Sequence, residues 1–376
     1  MHRQFTFSLA ILLLVGASSA AEPEKPWKFK AAALEPFWRG TTMHGESVLF
    51  IREGEGGAKA KLLLTPTKIL KVTSSSEETV YESGKDYVWQ PGSKEIVLPA
   101  GSRIIWKTPQ DLRRPAKSQK YNLTHRDGNG EVFFGATHEY HDMQTLVTYE
   151  HQKADWKKPT FASPSKELPK TIKLLAEKKT LKIALLGDSI STGCNASGWA
   201  KVAPYQPPFQ DLLVLQLEHA YGAKVTLENV AVGGTNTDWG VANIGKVIDA
   251  KPDLVILALG MNDSSGRPAK DYQAKTQTMI AAVKKALPEA EIILVATMLG
   301  NKDWVALKQE LFPQYRDALA SLCEPGIALA DMTSVWTEML RHKQDWDLTG
   351  NGVNHPNDFG HRVYAQVLSA MLIAEK

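Results

Sequence analysis

Four short polar blocks in the second half of the chain contain the residue types that acyl transfer requires. One block holds Ser189, a second holds adjacent glycines at 233 and 234, a third holds Asn262 and the last holds His355. A serine hydroxyl is a weak nucleophile and needs an adjacent base, for which a loop histidine is suited. A glycine N–H and an asparagine amide can both donate to a developing oxyanion. Together the blocks predict a hydrolytic site, provided that the fold brings them together.

Each block also has a purely structural interpretation. Serine is common in turns, and Gly187 permits a tight turn after a strand. The paired glycines fit a left-handed turn, and Asn262 fits an Asx turn. Asn357 or Asp358 is expected to be a helix N-cap, with Asp358 favoured, and His361 a surface or packing residue inside that helix. The position of each block relative to the strands therefore decides between the two interpretations.

Apolar segments precede the first three blocks and alternate with helical patterns from Leu181 onward. Near-continuous apolar strands between helices are typical of a parallel sheet covered on both faces. Active sites of such sheets lie beyond the carboxyl ends of the strands, where these blocks fall. The predicted strands are 181–186, 224–230, 253–259, 291–297 and 327–330, and the predicted helices are 209–221, 241–250, 274–286, 302–322 and 359–373.

The order of the motifs resembles the GDSL/SGNH hydrolase family: Ser in Gly-Asp-Ser, then a Gly, then Asn in Gly-x-Asn-Asp, then His in His-Pro-Asn, over residues from about 180 to 376. The resemblance implies an α/β fold, a flavodoxin-like three-layer α/β/α sandwich with a parallel sheet. It implies ester hydrolysis with no metal or organic cofactor, with Ser189 as nucleophile and His355 as base. The implied oxyanion hole consists of the Ser189 N–H, the Gly234 N–H and the Asn262 side chain, with Gly233 as the alternative if the register shifts by one.

One part of the family pattern is missing. The family usually has Asp three residues before the histidine, and Gly352 stands there. We favour a backbone carbonyl as the group that orients His355, which would give a Ser–His dyad as in carbohydrate esterase family 2. The other groups that stay open are the amides of Asn351 and Asn354 and the carboxylates of Asp345 and Asp347.

Residues 22–155 show a different pattern, in which short strands alternate with Gly and Pro turns. The predicted strands are 47–51, 58–71, 87–90, 95–98, 131–134 and 145–149. This spacing predicts an accessory antiparallel β-sandwich, jelly-roll-like in organisation. Residues 156–180 are interpreted as a linker with a short helix over 171–178, and residues 181–376 as the hydrolase domain. The two histidines at 138 and 141 are read as exposed polar residues of the β domain, not as metal ligands.

The first 21 residues have a basic start, an apolar run and a small-residue end, which is the pattern of a signal peptide. We therefore expect a secreted or periplasmic protein without stable membrane insertion, because the apolar run is too short to span a bilayer. A net charge of +3, from 44 basic and 41 acidic residues, is too balanced to predict a nucleic-acid partner. Cys194 and Cys323 are predicted at opposite edges of the sheet and therefore as free thiols.

The sequence thus predicts an exported serine esterase for short acyl groups. We expect a small acyl group because no apolar lid-like insertion separates the motifs. We expect an O-acetylated polysaccharide as its carrier because of the β-sandwich module and the export signal. The alternatives are a lipase-like or general carboxylesterase acting on an acylated small molecule, and a non-catalytic carbohydrate-binding protein on a degenerate hydrolase scaffold.

Overall fold

The computed structural model describes residues 27–153, 156 and 164–375. The predicted signal peptide and part of the predicted linker lie outside the described residues. Residues 27–151 form a β region whose elements are helix α1 (Ala31–Leu34), strands β1 (Thr42–Val48), β2 (Phe50–Ile51), β3 (Lys59–Lys61), β4 (Pro66–Ser74), β5 (Val88–Trp89), β6 (Glu95–Val97), β7 (Trp106–Lys107), β8 (Arg113–Arg114) and β9 (Glu131–Val132), helix α2 (Glu139–Met143) and strand β10 (Thr145–His151).

The β region is built mainly from antiparallel pairs, as predicted. Strand β10 lies between β1 and β4 in one sheet, and a second sheet has the order β5-β6-β3-β2-β7. Within the second sheet only the pairing of β2 with β7 is parallel among the described strands, and β8 and β9 form a separate two-stranded ribbon. This arrangement leaves α2 and the segment before it free to contact the rest of the chain.

Two local predictions in the β region are wrong. The predicted strand 58–71 is two strands, because Pro66 cannot donate a ladder hydrogen bond and instead begins β4. The residues around His138, which we expected in a β conformation, lead into helix α2. Glu139 accepts a hydrogen bond at 2.8 Å from the Thr137 N–H, which satisfies a donor at the start of that helix.

The remaining chain alternates strands and helices around one parallel sheet. Its order is β12-β11-β13-β14-β15, which is the flavodoxin-like arrangement that the sequence predicts. The elements are α3 (Pro164–Glu167), α4 (Pro169–Ala176), β11 (Leu181–Gly187), α5 (Ser197–Ala200), α6 (Phe209–Tyr221), β12 (Val225–Asn229), α7 (Thr237–Asp249), β13 (Leu254–Ala258), α8 (Ala269–Ala286), β14 (Glu291–Ala296), α9 (Leu311–Ala320), β15 (Ile327–Asp331), α10 (Met332–Leu340), α11 (Asp345–Leu348) and α12 (Asp358–Leu372).

The central strands β11, β13 and β14 are buried on both faces, whereas the edge strand β12 is largely exposed. Alternate residues of β11 enter different cores: Ile183 packs with the side of the sheet covered by α6 and α12, and Ala184 with the side covered by α7 and α8. A period of two in a strand produces this division, and it explains why the strands are apolar at nearly every position. The three-layer α/β/α sandwich is therefore confirmed.

The predicted helix over 302–322 is shorter than expected and begins at Leu311. Residues 302–310 form a loop whose backbone bonds to the β region instead. The Val305 N–H donates to the Thr124 carbonyl at 3.1 Å, and the Arg126 side chain donates to the carbonyls of Lys302 and Leu307 at 2.7 and 2.9 Å. These tertiary hydrogen bonds replace the helical ones that local propensity favours.

The β region and the α/β/α layers share one core. Leu34 and Val48 of the β region are fully buried in the same apolar cluster as Leu368 and Leu372 of α12. Buried polar contacts also cross this boundary, among them an ion pair between Glu46 and Lys343 at 2.7 Å. The domain limits at 155 and 181 stay a prediction, but the two parts pack as one body.

Two further expectations concern thiols and membrane spans. Cys194 and Cys323 are free thiols, as predicted. No helix in the described ranges combines the length and the apolar character needed to cross a membrane.

Candidate active site

The turn after β11 holds Ser189 at the carboxyl end of the sheet. Gly187 ends the strand so close to β13 that a Cβ atom there would lie 2.9 Å from the Ala258 carbonyl oxygen, so crowding excludes a side chain. The buried Asp188 carboxylate accepts hydrogen bonds from the N–H groups of Ile190 and Met261, which joins the turn to the loop after β13. Burial raises the pKa of Asp188 to about 7. Ser189 is thereby fixed, and its residue surface is 7% exposed.

The structure brings together the two residues predicted as nucleophile and base. His355 Nε2 lies 2.9 Å from Ser189 Oγ, although the residues are 166 positions apart. When Nε2 carries no proton, it accepts the hydrogen bond of the serine hydroxyl. This is the geometry in which a histidine can take the proton of an attacking serine.

A network of asparagines holds the loop that carries His355. The Asn351 side-chain oxygen accepts from the N–H groups of Val353, Asn354 and His355 at 2.9–3.1 Å. Asn301, in the loop after β14, donates to the Gly352 carbonyl at 2.8 Å. The histidine therefore sits on a backbone that is fixed from two sides.

The group that orients the imidazole is none of those considered from the sequence. His355 Nδ1 lies 2.8 Å from the side-chain oxygen of Asn195, so the favoured backbone carbonyl is wrong. Of the residues considered, Asn351 accepts from backbone N–H groups with its oxygen and donates to the Asn354 side chain with its nitrogen. Asp347 accepts from the Leu49 N–H. Neither these residues nor Asp345 is among the hydrogen-bond partners of the ring.

Asn195 follows Ser189 by six residues, and we missed it because the family pattern directs attention to the residues before the histidine. One sequence feature was available: Asn195 lies in a short polar segment with Gly193, and asparagine tolerates the left-handed backbone that it adopts here, with φ of 65°. That feature alone also fits an ordinary turn.

The glycine pair after β12 lies beside the nucleophile. A Cβ atom on Gly233 would lie 3.7 Å from Ser189 Cβ, which places the glycine pair against the serine, and Gly234 has φ of 78° with open space around it. No hydrogen bond between described residues uses the backbone N–H of Ser189 or Gly234. Asn262 donates one amide hydrogen to the Thr235 carbonyl at 2.8 Å, which orients the group and leaves its second hydrogen for a ligand. The Ser189 N–H, the Gly234 N–H and the second Asn262 amide hydrogen are thus available to a ligand, and their role as oxyanion donors stays a prediction.

The ionisation of His355 predicts an unusual pH dependence. Removal of water by the surrounding loops lowers the pKa of His355 to about 3, and His361 acts in the same direction. The base must be unprotonated, so a lowered pKa keeps it competent in acid. We expect kcat/KM to decline only below about pH 5, whereas an enzyme whose histidine had its ordinary pKa would lose half of its activity at about pH 6.5. A pH–rate profile, with circular dichroism to exclude acid unfolding, would contradict this if the half-maximal rate lay at or above the unperturbed value.

His138, before α2, is partly exposed, but His141, inside α2, is buried, so the expectation of exposed histidines is wrong for His141. The two side chains have separate partners. His138 Nδ1 lies 2.8 Å from the Asp142 carboxylate, and His141 Nε2 lies 2.8 Å from the Ala203 carbonyl oxygen. Within the described ranges, no group of three His, Cys, Asp or Glu side chains has the arrangement of a metal site.

Comparisons with known proteins address the same part of the chain. Residues 185–363 match the GDSL-like lipase/acylhydrolase family model. No curated protein matches the chain. Among solved structures, the lipase Lip_vut3 from a goat rumen metagenome is 17% identical over 51% of this chain and 97% of its own, with a TM-score of 0.41.

Two other solved structures are esterases. A two-domain esterase, CEX, described as active on acetylated mannans, is 21% identical over 54% of this chain and 52% of its own, with a TM-score of 0.43. The acetyl xylan esterase AlAXEase is 19% identical over 51% of this chain and 100% of its own, with a TM-score of 0.41. The family match covers Ser189, Gly234, Asn262 and His355 in one span. The part of the chain that carries the site therefore belongs to the GDSL-like lipase/acylhydrolase family of carboxylic ester hydrolases.

Proposed function

We propose that this protein is an exported serine esterase that removes acetyl groups from carbohydrate. The observation that carries the proposal is the 2.9 Å contact between Ser189 Oγ and His355 Nε2 at the carboxyl edge of the parallel sheet. The signal-peptide pattern of residues 1–21 supports export.

In the proposed reaction each group has a role in two half-reactions. Ser189 Oγ attacks the ester carbonyl carbon while His355 Nε2 takes its proton. The carbonyl oxygen becomes an oxyanion that accepts from the Ser189 and Gly234 N–H groups and the Asn262 amide. The C–O bond to the alcohol then breaks, and His355 returns the proton to the leaving oxygen. Water, deprotonated by the same histidine, hydrolyses the acyl-serine and regenerates the hydroxyl.

The size of the loops around Ser189 favours a small acyl group. The loop between β12 and α7 holds only residues 230–236, and the segment between β13 and α8 holds residues 259–268. Neither of these two loops contains an inserted α-helix, and the segment from 188 to 208 that carries Ser189 holds only the four-residue helix α5, so a long acyl chain would have little apolar surface to cover it. An acetyl group needs no such surface.

The first experiment asks whether Ser189 reacts as a nucleophile. A fluorophosphonate should form a bond between Oγ and phosphorus with loss of fluoride, and mass spectrometry should place the added group on the peptide with Ser189. Ser189→Ala should remain unlabelled, whereas Ser191→Ala, in the same turn, should be labelled like the natural protein. Absence of labelling in the natural protein would favour the non-catalytic carbohydrate-binding alternative.

The second experiment asks for the acyl group and its carrier. Rates with p-nitrophenyl acetate, butyrate and octanoate, together with acetate release from a panel of O-acetylated polysaccharides, separate the alternatives. We expect the acetate ester to be preferred and acetate to be released from at least one polysaccharide, with the de-acetylated polymer as the control. Preference for octanoate would instead support a lipase-like enzyme.

A further inference from the structure

The amide of Asn195 is held from both sides, and only one of its two orientations fits. Its nitrogen lies 2.9 Å from the Thr137 carbonyl oxygen and 3.3 Å from that of Gly350. Carbonyl oxygens only accept hydrogen bonds, so the NH2 group must face them and the amide oxygen must face His355. An acceptor at His355 Nδ1 requires a proton on Nδ1, which leaves Nε2 unprotonated toward Ser189.

We propose that Asn195 is the positioning residue for the catalytic histidine and that position 195 requires an amide. The β region belongs to the active site, because its Thr137 carbonyl holds that amide. The proposal rests on the proposed esterase function of Ser189. It assigns a catalytic purpose to a region that the sequence suggests is an accessory module.

The β region also occupies the place where the family has its carboxylate. Gly352 stands at that position, has φ of 76° and packs so closely against the Tyr140 ring that no Cβ atom fits. An aspartate at 352 is therefore excluded by the Tyr140 ring. Thr137, three residues before Tyr140, supplies the carbonyl that holds Asn195. The segment 137–140 therefore leaves no room for the family's aspartate and also holds the asparagine that replaces it.

The Thr137 carbonyl has a fixed position because the segment around it is anchored. The Gly135 N–H donates to the Asn351 carbonyl at 3.0 Å, in the loop that carries His355. Further along the chain toward the amino terminus, Arg126 donates to carbonyls of the loop 302–307. Glu139 holds the Thr137 N–H itself. The carbonyl that holds Asn195 is thus fixed by the same hydrogen bonds that join the β region to the α/β/α layers.

A carboxylate cannot replace the amide between the carbonyls of Thr137 and Gly350. An aspartate at 195 would point one charged oxygen at two carbonyl oxygens 2.9 and 3.3 Å from the present nitrogen, in a site where Asn195 is only 5% exposed. Buried acceptors that face each other repel, and no donor replaces the lost one. Aspartate tolerates the left-handed backbone as asparagine does, so Asn195→Asp changes the charge and the donor while keeping the shape.

The test compares Asn195→Asp with the natural full-length chain. Although this change would create the usual Ser–His–Asp set, we expect kcat to fall by about 10- to 100-fold near pH 8, with KM within a factor of about 2. The loss should shrink in acid, because a protonated aspartate can again donate to Thr137 and accept from His355. A residue with only a structural role would not produce a loss that grows with pH.

A second variant displaces the Thr137 carbonyl without changing Asn195. His138→Pro rotates the peptide that contains the Thr137 carbonyl. Proline fixes φ at about −65°, whereas His138 has φ of −132°. His138→Ala keeps the backbone and serves as the matched control. We expect kcat to fall in the proline variant alone, and ¹⁵N NMR of His355 to change from the Nδ1–H tautomer to a mixture, with melting temperatures checking the fold.

The outcomes separate this proposal from the esterase assignment. If Asn195→Asp matches or exceeds the natural kcat from about pH 5 to about pH 9 while Ser189→Ala is inactive, the requirement for an amide is wrong and the esterase assignment stands. If both His138 variants keep the natural kcat and tautomer, the role of the β region is wrong. If Ser189→Ala keeps its activity, the esterase assignment itself fails.

Discussion

Ser189→Ala is expected to lower kcat for p-nitrophenyl acetate by about 10⁴- to 10⁶-fold, because the hydroxyl supplies both the bond to the acyl carbon and the proton that His355 accepts. The oxyanion donors would remain, so a residual rate above the uncatalysed reaction is expected. The measurement is the initial rate of p-nitrophenol release, corrected for spontaneous hydrolysis. Ser191→Ala is the matched control, because Ser191 Oγ is buried without a partner in the described structure.

The same reasoning predicts strong non-additivity. His355→Ala should cost about as much as Ser189→Ala, and the double variant should be little slower than either, because each group is useless without the other. Rates that multiplied instead would mean that the two residues act independently. A Ser189→Ala variant within about 10-fold of the natural rate would contradict the assigned nucleophile.

Lys343→Met is expected to lower the free energy of unfolding by about 3–5 kcal/mol. Lys343 and Glu46 are both fully buried, 2.7 Å apart, and the ammonium also donates to the Lys61 carbonyl. The Glu46 carboxylate further accepts from Tyr149 and the Leu63 N–H. Removing the cation leaves Glu46, and Asp347 at 3.9 Å from the ammonium, as uncompensated buried carboxylates.

Urea unfolding followed by circular dichroism would measure this loss, with an unchanged m-value showing that both parts still unfold together. Arg341→Met is the control, because its ion pair with Glu338 is largely exposed and should contribute less than about 1 kcal/mol. The double variant Glu46→Gln with Lys343→Met should lose less than the sum of the single changes. A loss for Lys343→Met no larger than that of the control would contradict the prediction.

Local patterns were sufficient to predict the parallel sheet. Each central strand is apolar at nearly every residue because both faces are covered, and this signal does not depend on distant contacts. The motif blocks were equally visible, because the carboxyl ends of parallel strands meet at one edge whichever helices follow. The resemblance to the GDSL/SGNH family then selected Ser189, Gly234, Asn262 and His355, and the structure brings Ser189 and His355 into contact.

Contacts between distant segments were not predictable in the same way. Asn195 meets His355 across 160 residues, and its role depends on carbonyls of Thr137 and Gly350 that have no sequence signature. The helix expected over 302–322 lost its first turns because the segment around Arg126 bonds to that backbone. In both cases the β region supplies at least one of the partners, and a pattern within one segment of the sequence cannot include them.

The contact between α1, β1 and α12 has a consequence for the order in which the protein matures. Arg39 donates to the carbonyls of Ala370 and Ile373, and Gln366 donates to that of Ala33, so contacts separated by more than 330 positions close the fold. Such contacts form slowly, because a long chain must be closed before they are made. A ribosome-bound chain that lacks α12 cannot complete either the core or the histidine loop that precedes it. Hydrolytic activity should therefore appear only after synthesis has passed α12, which would make it a late and sensitive reporter of complete assembly.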